Sequence, residues 1–330
     1  MTTDLRSKCQ DFLERQGYLL TSPETIGLDE LVPPLIQILA NVNDEHLLEE
    51  AVRYLGMIGR AAEPAIKPLV LLIARNPITP TVDEIQLNLS RNKPWMCGQA
   101  TRAAMDAMRQ ICPEKAIEAI DMLCHDADPQ VRFQAALALQ AIGEPADRVI
   151  PRLVELSRDR ESQIRRTAVL ALWPYQSLGE ETLYTLLARS TDPDLIVRVR
   201  VDYLLASKLS GYQRRYPDGI IDLANLLCST VDVENDITAV DIIRTIPMMG
   251  NDATRFAKRI MDLLQSKVSV AIPAIAAISM ALREIVHHYP SLRKLVLSSL
   301  RQIAVPGNQV ACFVNDNLVF MLSQLKSQHQ

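Results

Sequence analysis

A repeat of 33 residues is the feature that most constrains the fold of this 330-residue chain. The segment from Asp128 to Gly143 returns in weaker form from Glu161 to Trp173, and again from Asp194. Each copy carries an aliphatic residue followed by arginine at the same place, in the pairs Val131/Arg132, Ile164/Arg165 and Val197/Arg198. A fixed period of this length indicates one helical hairpin copied along the chain, with each copy burying its apolar side against its neighbours.

Looser copies extend the repeat in both directions. Ala51 to Gly59 matches Ala135 to Gly143, and Ala104 to Ile111 matches Ala135 to Ile142. Apolar residues at helical spacing continue to the end of the chain. We expect a leading helix over 4–20 and then eight hairpins, with second helices near 45–58, 95–111, 129–142, 161–173, 194–209, 235–246, 270–287 and 308–325.

This unit, in which Asp and Arg open the second helix and Gly closes it, resembles the HEAT repeat, and is most similar to the bacterial variety named after phycobilisome lyases. The resemblance is strongest over 28–74 and 100–172. It implies an all-α fold, a right-handed α-solenoid of about eight HEAT-like hairpins. We expect residues 1–27 to form a capping helix and linker and 28–330 the solenoid, interrupted by a long loop at 76–93 and a repeat break at 209–219.

Composition agrees with such an array and indicates its compartment. Apolar residues make up 48% of the chain but aromatic residues only 5%, so the core is built mainly from Ala, Leu, Ile and Val. The six cysteines are dispersed and form no Cys-x-x-Cys pair, which favours a reducing, cytoplasmic location. No apolar run reaches the roughly 18 residues of a membrane span, so no membrane association is expected.

Charge is small overall but uneven. The net charge of −4 argues against a dedicated nucleic-acid binder. Residues 1–60 hold five Lys/Arg against ten Asp/Glu, whereas 148–215 hold twelve against eight. The chain therefore has an acidic first part and a mildly basic middle. Asp44, Glu45, Glu49 and Glu50 in the acidic part are alternative interaction residues.

The repeated charges have a structural interpretation. Asp128, Glu161 and Asp194 precede the repeated arginines at a constant distance, so we expect the acid to cap the second helix and the arginine to bridge to the adjacent hairpin. Arginines outside the repeat, and aromatic residues in an aromatic-poor chain, are candidates for partner binding, with a solvated face or helix-end packing as the alternative. These candidates are Asn92, Lys93, Trp95, Arg166, Trp173, Tyr175, Arg200, Tyr212, Arg214, Arg215 and Tyr216.

Catalytic and cofactor signals are weak. His287 and His288 are adjacent on a helix and point in different directions, and Cys124-His125-Asp126 has the wrong spacing for a catalytic or metal site. The chain has no glycine-rich phosphate loop and no Gly-x-Ser-x-Gly motif. We therefore expect no enzyme and no cofactor.

The function favoured by these patterns is a bacterial, non-enzymatic scaffold or adaptor that binds a protein partner along a concave surface and loops. We expect a monomer or a hetero-complex. Two alternatives remain open at this stage. The resemblance allows a bilin lyase-like subunit, and a HEAT-like DNA-binding or base-excision protein would use the basic middle of the chain.

Overall fold

The computed structural model describes residues 2–18, 27–75, 98–175, 178–209, 212, 219–229, 237–266 and 272–327. These residues form two compact units, unit 1 up to residue 175 and unit 2 from residue 178 onward. Within these ranges every regular element is an α-helix or a short 3-10 helix, and no strand occurs among them. The predicted all-α fold is therefore confirmed.

Unit 1 contains a leading helix and four helical hairpins. The leading helix is α1 (Thr2–Arg15). The hairpins are α2 (Val32–Asn41) with α3 (Glu45–Ile58), α4 (Ile66–Arg75) with α5 (Gln99–Ile111), α6 (Pro113–Cys124) with α7 (Pro129–Ile142), and α8 (Ala146–Leu156) with α9 (Ser162–Ala171). Short 3-10 helices precede α2 and α4, at Asp29–Leu31 and Gly59–Ala65.

The hairpins of unit 1 stack side by side in two rows. The first helices α2, α4, α6 and α8 each pack on the next, and so do the second helices α3, α5, α7 and α9. We call these the first layer and the second layer. The stacking of successive hairpins in register is the architecture of an α-solenoid.

Local signals explain where the helices of unit 1 begin and end. The Asp44 and Asp128 side chains accept hydrogen bonds from backbone N–H groups in the first turns of α3 and α7. Proline occupies the first position of α6 and α7, where its missing N–H costs nothing. Gly143 ends α7 in the left-handed conformation with a φ of 69°, as expected for a glycine cap.

Close helix packing replaces large aromatic side chains in the second layer. Gly56 of α3 lies against Ala107 of α5, where a Cβ added at Gly56 would be 3.2 Å from the Ala107 Cα. Few side chains in this core are larger than Leu or Ile. The low aromatic content of the sequence therefore matches a core of closely packed helices.

The leading helix packs on the first hairpin of unit 1. Cys9, Phe12 and Leu13 are fully buried, and the Phe12 and Tyr54 rings lie 5.3 Å apart. The helix runs from Thr2 to Arg15 instead of the expected 4–20, and Gly17, with a φ of 83°, follows its C-terminal end. The proposed boundary between a leading segment and a solenoid at residue 27 stays a prediction.

Unit 2 repeats the same arrangement. Its hairpins are α10 (Glu180–Arg189) with α11 (Leu195–Lys208), α12 (Gly219–Cys228) with α13 (Ile237–Thr245), α14 (Asp252–Gln265) with α15 (Ile272–His288), and α16 (Arg293–Ile303) with α17 (Gln309–Ser327). The first helices α12, α14 and α16 form one row, and the second helices α11, α13, α15 and α17 form the other. Short 3-10 helices at Ile246–Met248 and Pro290–Leu292 follow α13 and α15.

All eight expected second helices are found among the described residues, within four residues of the expected bounds. The largest difference is at α5, which begins at Gln99 instead of 95. The long loop expected at 76–93 lies outside the described residues, as does most of the break expected at 209–219. No helix in the described part of the chain is long and apolar enough to span a membrane.

Candidate partner-binding surface

The turns that join first to second helices contain a second repeated aspartate. Asp126, Asp159 and Asp192 each stand two residues before the cap position, and each accepts a hydrogen bond from the backbone N–H of the cap residue, at 2.8 to 2.9 Å. These aspartates follow the same 33-residue period as the arginines. Sequence reasoning missed them, although the period itself is a signal that could have identified them.

The repeated arginines close the same turns. Arg132 donates from Nη1 to the carbonyl oxygens of Asp126 and Ala127 at 2.8 and 3.1 Å. Arg165 makes the equivalent bonds to the carbonyls of residues 159 and 160, and Arg198 to those of residues 192 and 193. Each arginine therefore supplies the donors that the turn carbonyls need.

Arg132 also bridges to the next hairpin. Its Nε and Nη2 groups donate to the two carboxylate oxygens of Asp159 at 2.7 and 3.0 Å, and both side chains are buried. Burial alone would raise the pKa of Asp159, but the hydrogen bonds from Arg132 and from the Glu161 amide outweigh it, so the pKa is lowered. The expected bridging role is confirmed for Arg132.

The acids of the repeat are less uniform than predicted. Asp128 and Asp194 cap their helices through the side chain, as expected. Glu161 occupies the equivalent cap position of α9 but makes no capping bond with its side chain. A glutamate is one methylene longer than aspartate and does not reach its own first turn well, which is why glutamate is not a preferred cap residue.

The structure corrects the placement of Arg200 on an exposed patch. Arg200 is 1% exposed, and its Nη2 donates to Asp241 Oδ1 of α13 at 2.7 Å. The Asp241 carbonyl also accepts from the Thr245 hydroxyl at 2.9 Å. Arg200 is therefore part of the packing between α11 and α13, because a buried arginine requires a carboxylate partner.

Tyr175 has a defined structural contact. Its hydroxyl donates a hydrogen bond to the carbonyl oxygen of Gly143, at the end of α7, with an oxygen–oxygen distance of 2.8 Å. Burial, followed by the charge of Glu144, raises the pKa of Tyr175 to about 12, so the hydroxyl stays protonated. Of the two roles considered for this residue, helix-end packing is the one for which the structure provides a contact.

Arg166, Leu170 and Trp173 form a half-exposed stripe on unit 1. They are spaced four and three residues apart on α9 and the turn that follows it, which places them on one side of the helix. On α7 the equivalents of Arg166 and Leu170 are Phe133 and Leu137, which are buried, and the equivalent of Trp173 is Gln140, which is half-exposed. The stripe therefore presents a cation, an aliphatic side chain and an indole at the surface of the second layer.

The same layer has further exposed residues on earlier helices. Arg53 and Met57 of α3 are exposed, as are Asp106 and Arg109 of α5. Charges on this side alternate in sign, with Arg53 4.0 Å from Glu49 and Arg109 3.8 Å from Asp106. We call the set Arg53, Met57, Asp106, Arg109, Arg166, Leu170 and Trp173 the second-layer face of unit 1.

Ion pairs between neighbouring helices cover the opposite, first layer. Glu63 pairs with Lys115, Glu118 with Arg148, Asp121 with Arg152, and His125 with Glu155. His125 lies 2.9 Å from both the Asp121 carbonyl and the Glu155 carboxylate. Its pKa is raised, first by the hydrogen bond to the Asp121 carbonyl and then by the charge of Glu155.

The remaining candidates fall into two groups. Tyr212 is half-buried, and its backbone N–H donates to the Leu209 carbonyl at 3.2 Å. Six candidates lie outside the described residues, namely Asn92, Lys93, Trp95, Arg214, Arg215 and Tyr216. Of the predicted candidates that the structure describes, Arg166 and Trp173 lie on the same side of α9 and the turn that follows it.

The described residues show no group of side chains arranged to bind a metal ion, and their buried cysteines are not activated as nucleophiles. No group of three or more His, Cys, Asp or Glu side chains there is arranged to hold a metal ion. Burial raises the pKa of the Cys9 and Cys124 thiols to about 12 and that of Cys228 to about 11. These thiols are therefore protonated at neutral pH and are poor nucleophiles.

Comparison with known proteins supports a repeat architecture. The family model described as HEAT repeats matches residues 97–173, which include α5 to α9. The match is to HEAT repeats in general and provides no support for the phycobilisome-lyase variety. No curated protein matches the chain.

Three of the solved structures that the chain matches are two engineered proteins and importin beta. An engineered protein, Northeast Structural Genomics Consortium target OR497, is 18% identical, with 96% of this chain and 95% of that chain covered and a TM-score of 0.30. Importin beta is 13% identical, with 97% of this chain and 44% of that chain covered and a TM-score of 0.37. A second engineered protein, target OR329, is 15% identical over 91% and 98% of the two chains, with a TM-score of 0.23.

Proposed function

We propose that this chain is a non-enzymatic scaffold that binds a protein partner through the second-layer face of unit 1. The observation that carries the proposal is the half-exposed stripe of Arg166, Leu170 and Trp173, in which Arg166 and Leu170 stand where the preceding second helix buries Phe133 and Leu137. Tryptophan and arginine are enriched at the energetic centres of protein interfaces. The second helices of a repeat array can present such side chains to a partner.

The stripe stands on a rigid base. The Arg132 bridge to Asp159 ties the turn before α9 to the preceding hairpin, and the Tyr175 bond to Gly143 does the same after α9. Both ends of this helix are therefore held by contacts of Arg132 and Tyr175. A surface whose side chains are positioned in advance loses less entropy on binding.

The mixed charge of the second-layer face favours a protein over nucleic acid. DNA-binding surfaces concentrate arginine and lysine to neutralise phosphates. Here Arg53 and Arg109 stand beside Glu49 and Asp106. An interface with alternating charges matches a protein partner with its own pattern of both signs.

The experiment is a tagged purification from the native host with a matched pair of variants. The site variant combines Arg166→Glu with Trp173→Ala. The control variant combines Lys67→Glu with Met122→Ala, which makes the same kinds of change on exposed positions of first-layer helices α4 and α6. Circular dichroism and thermal melting should show that both variants fold.

We expect a stoichiometric partner with the wild type and the control, and its loss with the site variant. Binding of the same partner should be measured with purified components, where truncating a buried interface tryptophan costs about 2 kcal/mol or more, a loss of roughly 30-fold in affinity. Equal binding by all three proteins would remove the second-layer face of unit 1 from the proposal. Failure to recover any partner under several growth conditions would count against the scaffold function itself.

A further inference from the structure

Positive charge is concentrated in the later part of unit 2. Residues 252–303 hold eight Lys/Arg against three Asp/Glu, a net charge of +5 in a chain whose net charge is −4. No Asp or Glu occurs from residue 285 to residue 315, a stretch that includes the whole of α16. The first-layer helix α16 therefore carries Arg293, Lys294 and Arg301 without any acid of its own.

The charged side of α16 faces away from the core of unit 2. Lys294, Ser298 and Arg301 are exposed and are spaced four and three residues apart, which places them on one side of the helix. Val296 and Leu300, on the opposite side, are buried. The charged side therefore faces out of the first layer and not along the row of helices, so its exposure does not depend on where the row ends.

The neighbouring first-layer helix α14 extends this basic side. Arg255 and Lys258 are exposed, whereas Phe256 and Ile260 are fully buried on the other side of the helix. Helices α14 and α16 pack on each other, and the axes of packed helices are about 8 to 10 Å apart. We call the exposed set Arg255, Lys258, Lys294 and Arg301 the basic face of unit 2.

Most cations of the basic face do not bridge neighbouring helices. In unit 1, first-layer cations such as Lys115 and Arg148 pair with acids of the adjacent helix. By contrast, Lys258, Lys294 and Arg301 make no ion pair with any described residue. Like charges on one surface repel each other, and an anion that binds there relieves the repulsion.

We infer that the basic face of unit 2 binds an acidic segment of a protein partner. The inference goes beyond the function proposed for unit 1 and does not depend on it, because it concerns a different layer of a different unit. Carboxylates of the partner would lie against Lys258, Lys294 and Arg301, whose charges no described residue neutralises. Such complementarity determines specificity and the rate of encounter, and it makes binding sensitive to salt.

The borders of the basic face favour a protein segment over nucleic acid. Asp262 is exposed one turn after Lys258 on α14, and Asp222 is exposed on α12, which packs on α14. A phosphate backbone carries a uniform negative charge and would be repelled at both positions. A peptide, in contrast, can place a neutral or basic side chain opposite each aspartate.

The first test measures binding of a defined acidic peptide to the full chain. Fluorescence anisotropy follows a short labelled peptide of alternating glutamate and serine, and the probe control is a peptide of the same length in which glutamine replaces glutamate. At low salt we expect a dissociation constant on the order of 0.1 mM for the glutamate peptide and no binding of the glutamine peptide. Binding should weaken at physiological salt because exposed charges are screened beyond about 8 Å.

The second test locates the peptide with a matched pair of charge reversals. Lys294→Glu with Arg301→Glu should weaken binding about 10-fold or more, since two attractions become repulsions. Arg60→Glu with Lys67→Glu makes the same change in net charge at exposed positions of unit 1 and should leave binding nearly unchanged. All four positions are exposed, so the thermal midpoints should remain close to that of the wild type.

Two further variants complete the design. Lys294→Gln with Arg301→Gln, which removes the charges without reversing them, should cause an intermediate loss. Arg166→Glu with Trp173→Ala should bind the peptide as the wild type does. This result would separate the basic face of unit 2 from the second-layer face of unit 1, so that either proposal can fail without the other.

The remaining outcomes decide against the inference. No salt-sensitive binding of the glutamate peptide at low salt would overturn it, and so would an equal loss with Arg60→Glu and Lys67→Glu, which would trace the attraction to net charge alone. Tighter binding of a short DNA duplex, lost with Lys294→Glu and Arg301→Glu, would assign the basic face to nucleic acid. A mass that rises with protein concentration in light scattering, and does not rise in the same variant, would assign it to acidic residues of a second copy.

Discussion

Buried arginines are the residues that decide how neighbouring hairpins join. Arg132 uses three nitrogen atoms, with Nη1 bound to the carbonyls of its own turn and Nε and Nη2 bound to the Asp159 carboxylate of the next hairpin. A guanidinium suits this role because its donors are fixed in a plane and match a carboxylate in a two-point contact. Lysine has no such geometry, so in the Arg132→Lys variant the two-point contact with Asp159 should be lost.

At the scale of single residues, we also predict that His125 makes the stability of the protein depend on pH. Its raised pKa means that the folded state binds a proton more tightly than the unfolded chain, whose histidine pKa is near 6.5. The stabilisation is fully present below about pH 6.5 and is lost as pH rises through the folded pKa. The effect is small because His125 and Glu155 are both exposed.

Thermal midpoints of wild type and His125→Gln at pH 5.5 and pH 8.5 check this prediction. We expect the wild type to exceed the variant by more at pH 5.5 than at pH 8.5. Glu155→Gln, which removes the charge of one of the groups that raise the pKa of His125, should reduce that pH-dependent difference. A difference that is the same at both pH values would show that the contact with Glu155 does not depend on the protonation of His125.

Contacts at helix ends link successive hairpins at the scale of elements. Tyr289, after α15, hydrogen-bonds through its hydroxyl with the Ile246 and Pro247 carbonyls and accepts from the Gly250 N–H, all in the segment that follows α13. Tyr175 makes one such bond to Gly143 in unit 1. Asn308 donates to the Leu264 carbonyl at the end of α14 and also caps α17. Polar groups at one helix end are thus satisfied by the next hairpin.

These contacts predict different costs for two identical substitutions. Tyr289→Phe removes the partner of three backbone groups, whereas Tyr175→Phe removes the partner of one. We expect Tyr175→Phe to lower the free energy of unfolding by about 1 kcal/mol and Tyr289→Phe by about 2 kcal/mol. Urea unfolding curves measure both, and exposed Tyr184→Phe is the matched control with a change near zero. A larger cost for Tyr175→Phe would contradict the assignment.

At the scale of the whole molecule, stability in a repeat array is expected to be local. Each hairpin contacts its neighbours in the row, so the array resembles a one-dimensional chain of coupled elements. Removal of one bridge between hairpins should therefore open the nearest helices first. The Arg132 bridge to Asp159 is the best probe, because both side chains are buried and paired in two places.

We expect Arg132→Ala to destabilise unit 1 by about 3 kcal/mol, since Asp159 is left buried without its partner. Hydrogen exchange measured by mass spectrometry should show faster exchange in α7 and α9 and unchanged exchange in α13 to α17. Arg160→Ala is the control, because Arg160 is mostly exposed and should cost less than about 0.5 kcal/mol. Equal acceleration in both units would instead indicate a single cooperative structure.

Some exposed residues of this protein are predictable from its sequence and others are not. Arg166 and Trp173 are predictable as surface residues because they depart from the repeat at positions that are apolar or neutral in the preceding copy. The exposed side of α17 is not predictable in the same way, since Phe313 and Phe320 look like any other apolar residues of a helix. Only the exposure of their side chains in the folded protein distinguishes them from core residues.

The sequence by itself determined where the hairpins lie. Caps such as Asp128, the proline at a helix start and the glycine at Gly143 act over three or four residues of chain, so the letters alone locate each helix to within a few residues. The tertiary structure decided which charges are buried. Arg200 belongs to the core because α13 presents Asp241 to it from 41 residues away, outside the 33-residue period. Burial of a charge depends on the partner that packing supplies, and no local pattern records that partner.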